Sequence, residues 1–139
     1  VITTYKKRFV AIALLGSAFV THAAQAQESA CELTGTTPEA HRDYLQCLDS
    51  ALKGAERQLQ SWANKRRLQL ETEAKHSGLT QALDIFLRAE QSFETYLEDN
   101  CRWRYVRLLP DSQKAAGVYK QCKLHMFAQR TASHKQALE

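Results

Sequence analysis

Leu45, Leu48, Leu52, Ala55, Leu59 and Trp62 recur at alternating steps of three and four residues, with Asp49, Lys53, Glu56, Arg57 and Gln58 between them. That period lays one apolar stripe along an α-helix and leaves the rest of its surface wet. Thr37-Pro38-Glu39 marks the start. Thr37 can cap free N–H groups, Pro38 tolerates the first turn, and Glu39 suits the positive end of the dipole. The pattern predicts a helix from Pro38 to about Lys75, stopped at His76-Ser77-Gly78 with Gly78 as the C-terminal cap. A second stripe, Leu83, Phe86, Phe93, Tyr96 and Leu97, predicts a helix opened by Thr80 and ending near Cys101. Glu90 interrupts that stripe, and a carboxylate buried there needs a partner such as an arginine.

The stretch 101–110, Cys-Arg-Trp-Arg-Tyr-Val-Arg-Leu-Leu-Pro, has the weakest period and reads as a connection. Asp111 or Ser112 then opens a third helix with the stripe Ala115, Val118, Tyr119, Cys122, Met126 and Phe127. Gly117 weakens it by about 1 kcal/mol relative to Ala. Arg130 to Glu139 reads as a frayed helical end. After residue 26 there is no β-rich run, long repeat or low-complexity tract. The expected fold is all-α: a small antiparallel helical hairpin with a third helix packed on it, cross-linked by disulfides. Leu52, Leu59, Trp62, Phe86, Phe93 and Tyr119 are the expected core.

Residues 1–26 have a different character. Lys6-Lys7-Arg8 precedes an apolar run from Phe9 to Val20, and Ala24-Gln25-Ala26 supplies a small-x-small cleavage site. Charge, apolar run and cleavage site in that order are those of an export signal. The run is shorter than the roughly 20 residues that span a bilayer, so no permanent membrane anchor is expected. Glu28 stands where a lipid-anchor signal places an apolar residue ahead of Cys31, so a lipidated cysteine is not expected either. The reading is a signal peptide at 1–26 and one helical domain at 27–139, in the periplasm or secreted.

Export changes the meaning of the charge. The net charge of +4 includes three cations and no acids from residues 1–26, so the remainder carries +1. Such a balance gives no support for nucleic-acid binding. It also changes the meaning of the cysteines. All four, Cys31, Cys47, Cys101 and Cys122, follow residue 26, and an even count in a small exported domain favours two disulfides. Zinc fails on spacing, since no two cysteines lie within two to four residues. Shorter loops favour Cys31–Cys47 with Cys101–Cys122. If helices one and three run parallel, Cys47 and Cys122 sit at similar heights, and Cys31–Cys101 with Cys47–Cys122 becomes the alternative.

Catalytic patterns are missing. There is no Gly-x-Ser-x-Gly and no His-Glu-x-x-His. His41, His76 and His134 are expected on polar faces or helix ends. His125 lies one turn from Cys122, but a cysteine in a disulfide is no nucleophile. Glu90, Glu94 and Glu98 share one helix face and cannot flank a glycosidic bond alone; Glu71, Glu73 and Asp99 read as solvated. No catalytic residue, metal or cofactor is expected. Arg102, Trp103, Arg104, Tyr105 and Arg107 form a basic-aromatic cluster, and Lys65-Arg66-Arg67 follows Trp62. Trp, Tyr and Arg dominate interaction hot spots, so Arg102, Trp103, Arg104, Tyr105 and Arg107 are the candidate partner-binding site. The plainer alternative packs the aromatics under the connection and leaves the arginines in water.

The cysteine framework and these helices resemble the lysozyme inhibitor LprI-like family of exported bacterial proteins. The clearest stretch runs from Ala89 to Cys101, where the family pattern is roughly Ala-Gln-x-x-Trp-x-x-Tyr-Arg-Asp-x-x-Cys. Tyr96 and Cys101 match it, while Glu90, Phe93 and Leu97 stand at its Gln, Trp and Arg places. Upstream, Tyr44, Cys47, Asp49 and Leu52 resemble the family's opening; downstream, Tyr119, Cys122, Arg130 and Leu138 resemble its close. The resemblance implies a binding protein that inhibits a lysozyme or another muramidase. It names no inhibitory residue, because the matched positions are those of core and cross-links. The alternative expectation is a small structural or stress-related protein of the cell envelope without an enzyme target.

Overall fold

The computed structural model describes residues 31–136. The export signal and cleavage site predicted at 1–26 lie outside the described residues. Three helices follow one another: α1 (Pro38–Ser77), α2 (Gln81–Arg107) and α3 (Ser112–Lys135). Three of their ends carry the chemistry that the sequence announced. The Thr37 hydroxyl accepts from the Ala40 N–H at 3.2 Å, and Pro38 occupies the first turn. Gly78 closes α1 in the left-handed region, φ 74°, donating its N–H to the Ala74 carbonyl at 2.8 Å. Asp111 caps α3 by accepting from the Lys114 N–H at 3.1 Å.

Contacts between named residues give the topology. Going up α1, Tyr44 meets Gly117, Asp49 pairs with Lys120, and Arg66 reaches the His134 carbonyl. Both helices therefore run the same way. Going up α2, Phe86 meets His134, Glu90 meets Arg130, and Cys101 meets Cys122. That order is reversed, so α2 is antiparallel to both. At about 1.5 Å per residue the 40 residues of α1 reach roughly 60 Å, well beyond the 24 of α3.

The core gathers Leu59, Leu97, Cys101, Met126 and Phe127, with Leu52, Ala55, Phe93, Tyr119 and Cys122 packed against it. Leu48, Leu70, Ala115 and Leu124 are also buried. Trp62 and Phe86, expected in the core, are only half-buried. α3 is wedged against both partners and needs two buried rows. One holds Tyr119, Cys122 and Met126 and faces α2, as Glu98, Cys101 and Asn100 contact them in turn. The other repeats Gly117, Leu124 and Thr131 every seven residues on the α1 side. Gly117 has a reason to be there: a Cβ on it would lie 3.1 Å from the Tyr44 ring.

Both cross-links have the short-loop pairing. Cys31–Cys47 ties the lead-in segment to α1 with Cα atoms 5.7 Å apart, and Cys101–Cys122 ties α2 to α3 at 5.6 Å. Helices one and three do run parallel, yet the Cys47–Cys122 alternative is not what forms. Cys101, fully buried in the core, takes Cys122 for its partner instead. Each link should add roughly 2–4 kcal/mol to a domain of this size. Disulfides are compatible with a periplasmic or extracellular location. No helix among the described residues is long and apolar enough to cross a membrane.

One expected element is different. Residues 101–107, read as a connection, form the last two turns of α2, and only residues 108–111 join it to α3. Cys101, Tyr105 and Leu108 continue the inward row of Phe93 and Leu97, so the helical period persists beneath the arginines. Tyr96, placed on the inward stripe, is 59% exposed.

Candidate functional site

Helical geometry turns each successive side chain by about 100°. It therefore divides the basic-aromatic cluster that is contiguous in sequence. Arg102, Trp103 and Arg107 share one outward face with Asp99 and Val106, lining an open depression of about 680 Å3. Trp103 is 50% exposed, and Val106 and Leu109 are similarly bare. Arg104 sits beside the Trp103 ring, its guanidinium carbon 5.2 Å from the ring centre, but lines the seam between α2 and α3.

Tyr105 points the other way. Its ring meets the edge of Tyr119 at 6.2 Å and is half-buried. Tyr105 thus follows the packing alternative, while Trp103 does not. Tyr119 in turn donates its hydroxyl to Glu98 at 2.7 Å. Burial, with the Glu98 hydrogen bond and charge, pushes the Tyr119 phenol up to about 12. The phenol stays protonated and fixes the inner side of the same helix end that shows Trp103 to solvent.

The arginines also have a local reason. Arg104 and Arg107 lie in the last turn of α2, where cations oppose the negative end of the helix dipole. Among the described residues, Asp99 is the one carboxylate lining the depression against Arg102 and Arg107, so this face is net positive, with Trp103 and Val106 as its apolar part.

A second constellation ties the other end of the bundle. Glu90 meets two α3 residues: Arg130 pairs with Oε1, and His134 Nε2 lies 3.3 Å from Oε2. The arginine partner expected for Glu90 is present. The Arg130 guanidinium also lies 5.4 Å from the Phe93 ring. Arg66 of α1 donates to the His134 carbonyl at 2.8 Å, and the Phe86 ring meets the imidazole at 5.7 Å. His134 was expected at a polar end; it is 5% exposed instead. Burial holds its imidazole below the ordinary 6.5, reinforced by Arg130 and Arg66 and opposed by Glu90. A helix ending at 135 rather than fraying from 130 explains the enclosure. Packing encloses the imidazole of this acid–histidine pair, while the Glu90 side chain keeps 23% exposure.

No group of three His, Cys, Asp or Glu residues among the described residues is placed to hold a metal. Compared with protein-family models, with curated proteins and with solved structures, the chain has no match. Function has to be argued from the sites themselves.

Proposed function

We propose that this chain is an exported binding protein that blocks a lysozyme or another peptidoglycan-cleaving enzyme by covering its cleft, without chemistry of its own. The observation that carries the reading is the outward face of α2, where half-exposed Trp103 stands beside Val106 between Arg102 and Arg107. A large aromatic ringed by arginines is the composition of an interaction hot spot. Its positive charge also suits the target, because muramidase clefts work with a pair of carboxyl groups. The resemblance of Ala89–Cys101 to the LprI-like pattern points to the same class of partner. The N-terminal signal and the two cross-links suit the periplasm or the outside of the cell, where such enzymes act.

The test is a titration of several lysozymes and envelope muramidases with the oxidised protein. The expected result is stoichiometric, reversible inhibition that reduction weakens. Trp103→Ala should raise the inhibition constant about thirtyfold if Trp103 is an anchor, and Val106→Asp should do likewise. Tyr105→Phe should leave inhibition intact, because that ring faces Tyr119. Absence of inhibition at large molar excess for every enzyme would reject the reading in favour of a structural envelope protein. Full inhibition by Trp103→Ala would keep the activity and reject this face.

A further inference from the structure

Away from Trp103, a second depression of about 410 Å3 follows the seam of α2 and α3. Its lining falls into three straight rows, each spaced by four residues. Tyr96, Asn100 and Arg104 form the α2 rim; Val118, Cys122 and Met126 form the floor; Gln121, His125 and Gln129 form the α3 rim. The Cys101–Cys122 bond fixes the distance between the two helices at the floor. From Tyr96 to Arg104 the groove measures roughly 12 Å along the helix.

The chemistry of these rows is selective. Tyr96 offers an aromatic face that packing does not use, being 59% exposed. Three planar amides line the groove. Among the described residues, the Asn100 amide makes only weak contacts, to Met126 Sδ at 3.7 Å and Cys122 Sγ at 3.9 Å. Among the described residues, the lining includes the guanidinium of Arg104 and the imidazole of His125, and no carboxylate. Met126 and Cys122 of the disulfide form the floor between the two rims.

We infer that this groove is a binding site for a short acidic oligosaccharide. A sugar ring stacks on Tyr96, Asn100 and the two rim glutamines hydrogen-bond its hydroxyls, and Arg104 holds a carboxylate. A volume of this size lies within the range of small-ligand sites. Aromatic stacking and planar amides recognise a flat, hydroxyl-rich ring without a deep pocket. The Arg104 guanidinium in the lining selects the carboxylated sugar over the neutral one. This site lies beside the Trp103 face and is independent of muramidase inhibition.

The experiment is an NMR titration of the oxidised protein with an oligogalacturonate trimer, neutral chitotriose and an acidic tripeptide. The expected result is saturable binding of the galacturonate trimer, with shifts confined to residues of both rims. Tyr96→Ala, a change at an exposed side chain, should weaken it about tenfold. Arg104→Gln should erase the preference over chitotriose while leaving the same footprint. Tight binding of the tripeptide in place of the sugar, a footprint elsewhere, or no saturation at millimolar trimer would each overturn the assignment. So would equal binding of the trimer by wild type and Tyr96→Ala.

Discussion

Replacing Arg130 by methionine removes the cation from Glu90 while keeping much of the volume against Phe93. Breaking a fully buried ion pair from one side costs about 3–5 kcal/mol, because the remaining charge stays desolvated. Here both side chains retain 23% exposure. His134 Nε2 also stays within 3.3 Å of the carboxylate. Both facts lower the cost, to about 2–3 kcal/mol near pH 8. In a domain this small that is a fall in Tm of roughly 10–20 °C. The loss should also depend on pH. Arg130 is one of the groups holding His134 below its ordinary value. Without it, His134 protonates more readily and becomes the cation that Glu90 lacks. The destabilisation should therefore be smaller near pH 5.5 than near pH 8.

Urea unfolding followed by helical circular dichroism, at pH 8 and pH 5.5, reads both quantities. The double variant Glu90→Leu/Arg130→Met completes the test. Replacing a whole ion pair by apolar groups is often close to neutral. It is helped here because the buried Nε of Arg130 has no hydrogen-bond partner among the described residues. The double variant should lie within about 1 kcal/mol of wild type. A single-variant loss below about 0.5 kcal/mol, or one equal at the two pH values, would refute this account of the cluster.

Three further outcomes are expected. The wild-type His134 imidazole titrates below 6.5, so the unfolded chain binds more protons below that pH; its stabilising contribution is complete above about pH 6.5 and is lost as pH falls through the folded value, a slope that His134→Gln should flatten. An imidazole NMR titration giving His134 a value above 6.5 would contradict this. Leu59→Ala, at a site 8% exposed within the core, should cost about 2–5 kcal/mol in chemical unfolding; a loss under about 0.5 kcal/mol would place Leu59 outside the core. Gly54→Ala meets nothing within 4 Å and should stabilise α1 by about 0.5–1 kcal/mol, while Gly117→Ala should lose that gain by pressing on Tyr44. Equal gains at both glycines in thermal melts would remove Tyr44 from the explanation.

Both limits of α1 and the start of α3 were legible because each of those ends carries its own chemistry. Thr37 with Pro38, Gly78, and Asp111 after Pro110 act within one turn of themselves and need no tertiary partner. The short-loop disulfides were legible for a similar local reason. Tertiary context decided the rest. α3 was read as one stripe, which suits a helix touching one neighbour. It touches two, so Leu124 and Thr131 are buried on a second row that a single stripe does not predict, and His134 is buried against Glu90 and Phe86 of α2. At the end of α2, Arg102, Arg104 and Arg107 hid a period that Cys101, Tyr105 and Leu108 still carry. Polar residues between inward positions are what a wet helix face contains, so their density alone did not mark a loop.

The candidate site was legible as a composition and illegible as a surface, and the reason is the same helix. A run of adjacent residues in a connection can present one side to a partner. On α2 the same run is fanned around the axis. Trp103 is sent to solvent, Arg104 to the α3 seam and Tyr105 to the core. The residues that join Trp103 come from one turn on either side, Asp99 and Val106 with Arg107. Neither Asp99 nor Val106 belongs to the sequence cluster. A partner that docks on Trp103 must therefore tolerate one carboxylate and cover one aliphatic side chain. The fan also lets two sites share one helix. Inward residues lock α2 to α3 through Cys101 and Tyr105, and that rigidity holds the Trp103 face and the Tyr96–Asn100–Arg104 rim in fixed relation. Reduction of Cys101–Cys122 removes that shared support, so both surfaces depend on a cross-link that neither of them exposes at Cys101.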